Sequence, residues 1–139
     1  MGTDYYAYAV IGCEVTGKLY DETGVRRCDC PIGPGRFCAH CGKSTALEVR
    51  HTPKTFYDEN AHTIGILTVS FTTDYKRAFA GIRTKVSSEG VYSEKKGYAD
   101  LRPIPNPADF FNVVKAELEK FDLWDPSSFG LWAVLHCSY

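Results

Sequence analysis

An α+β fold follows from three features of the sequence: a small, mainly antiparallel sheet packed by one helix in the C-terminal half, with a cysteine-rich insertion. Short apolar or alternating runs with strand chemistry recur along the chain. One stretch alone carries the period of an amphipathic helix, and four cysteines crowd into fourteen residues. The 139 residues suit a single domain, 1–139, with residues 26–43 as a metal-binding knuckle subdomain inside it. An apolar fraction of 44% and a formal net charge of −1 exclude a disordered chain, a polybasic nucleic-acid tail and an acidic tail. No run nears the roughly 18 apolar residues of a membrane span. The opening MGTDYYAYAVIG has an acid and no cationic region, so no secretion signal is expected and a cytoplasmic location is.

Asp4–Val15 is rich in tyrosine and branched residues and apolar on both faces, which predicts a well-covered strand with Cys13 on the face of Ala9 and Ile11. Gly17–Gly24 reads as a polar, turn-prone exit, and Ser44–His62, broken by Pro53, as a connector without period. Thr63–Thr72 alternates, with Leu67, Val69 and Phe71 on one face, and Lys76–Val86 alternates again. The short turn between them contains Asp74, so the pair predicts a β-hairpin. Ser87–Gly97 reads as a polar loop with a short edge strand at Val91–Ser93. The helix is expected from Asn106, a good N-cap, through Pro107 at its first position to about Phe121. Phe110, Val114, Leu118 and Phe121 form its apolar stripe, with Phe111 and Val113 beside it. Leu131–Tyr139 predicts a final, paired strand.

Six cysteines stand at 13, 28, 30, 38, 41 and 137. An even count is compatible with disulfides, but the tight clustering and the expected reducing compartment favour a metal. Cys38-Ala-His-Cys41-Gly42 has the C-x-x-C-G form. Two intervening residues let both sulfurs face one ion, and the glycine lets the backbone turn beneath it. This half resembles the knuckle of zinc ribbons and rubredoxins, a likeness confined to residues 28–43. It implies a structural site of four cysteines in tetrahedral array, carried over to Cys38 and Cys41, and the local cluster makes Cys28 and Cys30 the other two expected ligands. The first half departs from that pattern, with C-x-C in place of C-x-x-C. His40, His51 or a distant cysteine therefore remains an alternative ligand to Cys28 or Cys30. Seven residues between Cys30 and Cys38 predict a compact loop turned by Gly33 and Gly35. Arg26, Arg27, Arg36 and Lys43 against Asp29 leave the segment at +3, and an ion with four thiolates, about −2 in total, brings it near +1. Zn²⁺ is the preferred metal, iron the lesser alternative. Four local cysteines describe a closed, structural site and not a catalytic one with an open position.

Other residues carry weaker readings. Cys13 and Cys137 read as small buried apolar residues before they read as a bridge or second site. Asp58, Glu59 and His62, with His51 upstream, read as a solvated connector, and His136 as a strand histidine. No phosphate-binding, dinucleotide, nucleophile-elbow or zinc-protease motif occurs. Nine tyrosines serve as strand formers or, alternatively, as a partner surface. Short length, an aromatic strand and a knuckle together loosely resemble small bacteriophage proteins of uncharacterised role. That likeness implies a viral protein acting on a host factor in the host cytoplasm. The expectation is a non-enzymatic protein that uses structural zinc to shape a surface for a protein partner. The alternative is nucleic-acid binding through Arg26, Arg27, Arg36 and Lys43 around the knuckle and Lys76, Arg77, Arg83 and Lys85 on the hairpin.

Overall fold

The computed structural model describes residues 4–86 and 103–138; the expected loop Ser87–Gly97 with its Val91–Ser93 strand, and Tyr139, lie outside the described residues. Among the described residues, eight strands follow one another. They are β1 (Asp4–Glu14), β2 (Tyr20–Val25), β3 (Glu48–Pro53), β4 (Tyr57–Asp58), β5 (Thr63–Ile64), β6 (Leu67–Phe71), β7 (Ala78–Lys85) and β8 (Gly130–Ser138). One helix, α1 (Phe111–Glu119), precedes the last strand. The fold is α+β, as expected. The chain forms two compact units, Met1–Leu19 with Thr55–Tyr139 and Tyr20–Lys54.

The larger unit holds a six-stranded sheet in the order β4-β5-β6-β7-β1-β8, antiparallel throughout. β1 sits between β7 and β8, which is why its residues are apolar on both faces. Ala9, Val10, Ile11 and Cys13 are all buried. Alternation places Ile11 and Cys13 on one face with Leu67, Val69 and Ala80. Val114 and Leu118 of α1 and Leu123 beyond it are buried too. The helix is tied to this side of the sheet. Phe121 stacks on Phe56 at 5.1 Å, and the Cys13 thiol donates to the Asp125 carbonyl at 3.3 Å. The opposite face carries a smaller cluster of Val10, Phe79 and Val134 with Trp132 packed against it.

Two glycines face each other in register at the centre of the sheet, Gly12 on β1 and Gly81 on β7. A Cβ on Gly12 would lie 1.9 Å from the Ala80 carbonyl oxygen, and one on Gly81 2.0 Å from that of Ile11. The strand backbones approach so closely that neither position has room for a side chain.

The helix begins as the sequence predicts: Asn106 accepts the Ala108 N–H at 3.1 Å, and Pro107 opens the first turn. That turn, Pro107–Phe110, is a 3₁₀ helix, and α geometry starts only at Phe111. The helix stops at Glu119, short of the expected Phe121, because Asp122 adopts φ 57° and turns the chain away. Val114 and Leu118 are the buried part of the stripe, whereas Val113 is 43% exposed. The expected β6–β7 hairpin is present, its turn held by Asp74, which accepts the Thr72 hydroxyl at 2.6 Å and the Lys76 N–H at 3.1 Å. β8 pairs with β1 along its length, as expected.

Three expectations need correction. Thr63–Thr72 is two strands and not one: Gly65 adopts φ 56° and folds β5 back on β6. The Gly17–Gly24 exit contains most of β2, and the Ser44–His62 connector contains β3 and β4. β2 and β3 escaped the sequence reading because they bury neither face, so no apolar alternation marks them.

Candidate metal centre

The unit Tyr20–Lys54 is a hairpin with a long tip. β2 and β3 pair from Tyr20 opposite Pro53 to Val25 opposite Glu48, bringing the two ends of the cysteine segment together. The hairpin is polar and exposed; His51 lies 3.7 Å from the Glu22 carboxylate and edge-on to Tyr20. No residue from 20 to 54 is buried. Apolar packing cannot therefore account for the order of this unit.

Within the tip, Phe37 and Ser44 bridge, the Cys38 N–H donates to the Lys43 carbonyl at 2.7 Å, and the Gly42 N–H returns to the Cys38 carbonyl at 2.9 Å. Gly42 takes φ 74°, the tight turn expected after Cys41. Gly35 likewise turns with φ 110°, and Thr45 fastens this bend by donating to the Gly35 carbonyl at 2.7 Å. The Arg26 guanidinium donates to the Cys30 carbonyl, and Arg27 Nε to that of Ala46 at 3.1 Å. Two of the four cations read as partner contacts thus brace the loop's own backbone.

The sulfurs of Cys28, Cys30, Cys38 and Cys41 all lie within 4.8 Å of one another. Four thiolates around one Zn²⁺ at about 2.3 Å would stand about 3.8 Å apart, so a small contraction closes a tetrahedron. The unusual C-x-C half therefore reaches the same point in space as the C-x-x-C half. Two of the alternative ligands are engaged otherwise: His51 faces Glu22, and Cys13 is buried within the six-stranded sheet. A Cys13–Cys137 bridge is excluded. Cys137 pairs with Tyr5, eight residues up β1 from Cys13, a separation of about 26 Å.

The electrostatics of the four sulfurs suit a bound cation. The backbone N–H groups of Cys41 and then His40 point at the Cys38 sulfur and lower its pKa to about 6. Cys30 is pushed up to about 12, first by its hydrogen bond with the Cys41 sulfur, then by desolvation and by Cys38 and Cys28. Four sulfurs this close cannot all ionise without a cation between them, and a divalent ion removes that conflict. Elsewhere, burial pushes the Cys13 thiol up, so it stays a protonated, inert core residue, as expected.

A groove of about 300 Å³ runs beside the knuckle, lined by Arg26, Arg27, Ile32, Phe37, His40 and Leu47 among others. Ile32 is 84% exposed, Phe37 66%, and Leu47 and Val49 57% each. The sequence reading missed this surface, although large apolar residues inside a segment lacking strand or helix period are a legible sign of it.

Two further candidates, Asp58 and Arg77, serve local structure. Asp58 Oδ1 accepts the N–H groups of Asn60 and Ala61 and so closes a turn. On the hairpin, Arg77 pairs with Glu14 at 2.9 Å and lies over the Phe79 and Trp132 rings. No described helix is long and apolar enough to cross a membrane. No protein-family model, curated protein or solved structure matches the chain.

Proposed function

We propose that this is a small non-catalytic zinc protein, in which a structural site of four cysteines holds residues 20–54 so that their apolar side chains face a protein partner. The observation that carries the reading is the pairing of a coreless unit with large exposed apolar groups. Residues such as Ile32 and Phe37 left in water at this density mark an interaction surface. Zinc is favoured because it accepts four sulfurs in a tetrahedron and needs no redox partner. A closed set of four thiolates leaves no position for a substrate or reactive water, which supports a structural role.

A protein is favoured over nucleic acid as partner. Arg26 and Arg27 already donate to backbone carbonyls, and a dianionic cluster beside them offsets their field. The bacteriophage likeness makes a host factor the partner of interest.

The test places a photo-crosslinking residue at Phe37 in the zinc-loaded chain, within a lysate of the cells that naturally hold it. A single protein captured at fixed stoichiometry, and released by Ile32→Ser with zinc retained, supports the reading. Capture of DNA or RNA with steep salt dependence would establish the nucleic-acid alternative instead. A monomer that captures nothing would overturn both.

A further inference from the structure

The larger unit contains a second cavity, about 260 Å³, that plays no part in the metal centre. It is lined by Tyr8, His62, Ser70, Phe71, Tyr75 and Arg83 among others. Three independent features set it apart from an ordinary dip in a sheet.

The first is Ser70, a polar residue 5% exposed in the middle of β6, whose buried hydroxyl has no hydrogen-bond partner. A buried hydroxyl in this state lowers stability unless something else supplies the partner. The second is the backbone at the rim. His62 has φ 51° and Tyr75 φ 57°, the left-handed region where glycine or asparagine would be the cheaper choice. Both strained residues are aromatic, and both pack against Phe71. His62 meets it edge-on at 5.7 Å, and Tyr75 is tilted at 5.9 Å. The turns that take these angles set both rings against Phe71 at the rim of the cavity. The third is charge. The Arg83 guanidinium stands over the Tyr8 ring at 4.6 Å, and no carboxylate is among the described residues lining the cavity.

We propose that this cavity binds a small aromatic carboxylate, a single ring bearing one acidic group. The guanidinium offers a planar fork that matches a carboxylate in two hydrogen bonds. The Ser70 hydroxyl gains the partner it lacks. The ring of the ligand lies against Phe71 and Tyr75 in the offset or edge-on arrangements that aromatic groups prefer. The volume, slightly below the roughly 300 Å³ where ligand pockets begin, limits the guest to one ring.

Benzoate is the probe, with benzamide as its neutral isostere, titrated into the zinc-loaded full chain by calorimetry and ligand-observed NMR. Benzoate should saturate one site with a Kd of about 1 mM, as suits so small a ligand. Benzamide should bind at least about tenfold more weakly, and so should benzoate to Arg83→Gln. Arg83 is exposed, so that variant keeps its fold, shown by unchanged zinc content and melting. Ser70→Ala should weaken benzoate about threefold or more. Failure of benzoate to saturate by about 20 mM, equal binding of benzamide, or undiminished binding to Arg83→Gln would overturn the proposal. None of these outcomes depends on the partner surface of the knuckle.

Discussion

The two units of this protein solve the same problem with different means. The sheet unit buries Val10, Ile11, Val69, Val114 and Leu118 completely, and its order follows from apolar burial. The unit 20–54 buries nothing, yet folds its tip through a dense set of backbone hydrogen bonds around four sulfurs. In one, the side chains that specify the fold are hidden from water. In the other they are four sulfurs placed to hold a metal ion, and the large apolar residues face outward. Freeing surface from structural duty is what a metal does for a short segment.

This contrast predicts which changes harm which unit. The largest effect belongs to Cys41→Ser. Structural zinc supplies about 10–16 kcal/mol to small metal-ordered units, so the loss should release the ion and disorder residues 20–54. The sheet should still melt cooperatively, as separate calorimetric and circular-dichroism transitions would show. Acidification acts on the same unit in the same direction. Protons compete with the ion for sulfur, most strongly at Cys30, whose pKa without a cation is about 12. Zinc should therefore leave as pH falls and return as it rises, which a colorimetric chelator can follow.

Gly12→Ala should strike the other unit. The added methyl would meet the Ala80 carbonyl, so β1 and β7 must separate. A loss above about 4 kcal/mol is expected, read as failure to fold or a collapsed melting temperature. Leu118→Ala opens a cavity over the sheet and should cost about 2–5 kcal/mol in denaturant unfolding, with zinc stoichiometry unchanged. Loss of zinc in that variant would mean that the metal site depends on the core. Asn106→Ala removes a helix cap and should cost only about 1 kcal/mol, again without touching the metal.

The same contrast explains what was readable beforehand. β1, β7 and the Asn106 cap were legible because their residues are chosen by burial or by a specific terminal hydrogen bond, and β8 by its apolar run, although Val134 is the one buried side chain among its described ones. The gathering of Cys28, Cys30, Cys38 and Cys41 was legible because their spacing is tight and a cluster of thiols suits few uses other than metal. β2 and β3 were not, since Asp21, Glu22, Thr23 and Arg50 are exposed residues held in strands by main-chain pairing alone. The break at Gly65 was missed because one residue with positive φ interrupts an otherwise continuous alternation. The Ser70 cavity was also hidden. His62 and Tyr75 lie thirteen residues apart, and only the fold of β5 and β6 brings their rings to Phe71.

Hydrogen exchange on the full chain, before and after metal removal, tests the central claim most directly. The account predicts that protection of Cys38, Gly42, Thr45 and the β2–β3 amides vanishes with the ion and returns with one equivalent of Zn²⁺, while β1, β7 and β8 stay protected. Unchanged protection of residues 20–54 after the ion is gone, or sulfurs joined in pairs instead of around a metal, would contradict it.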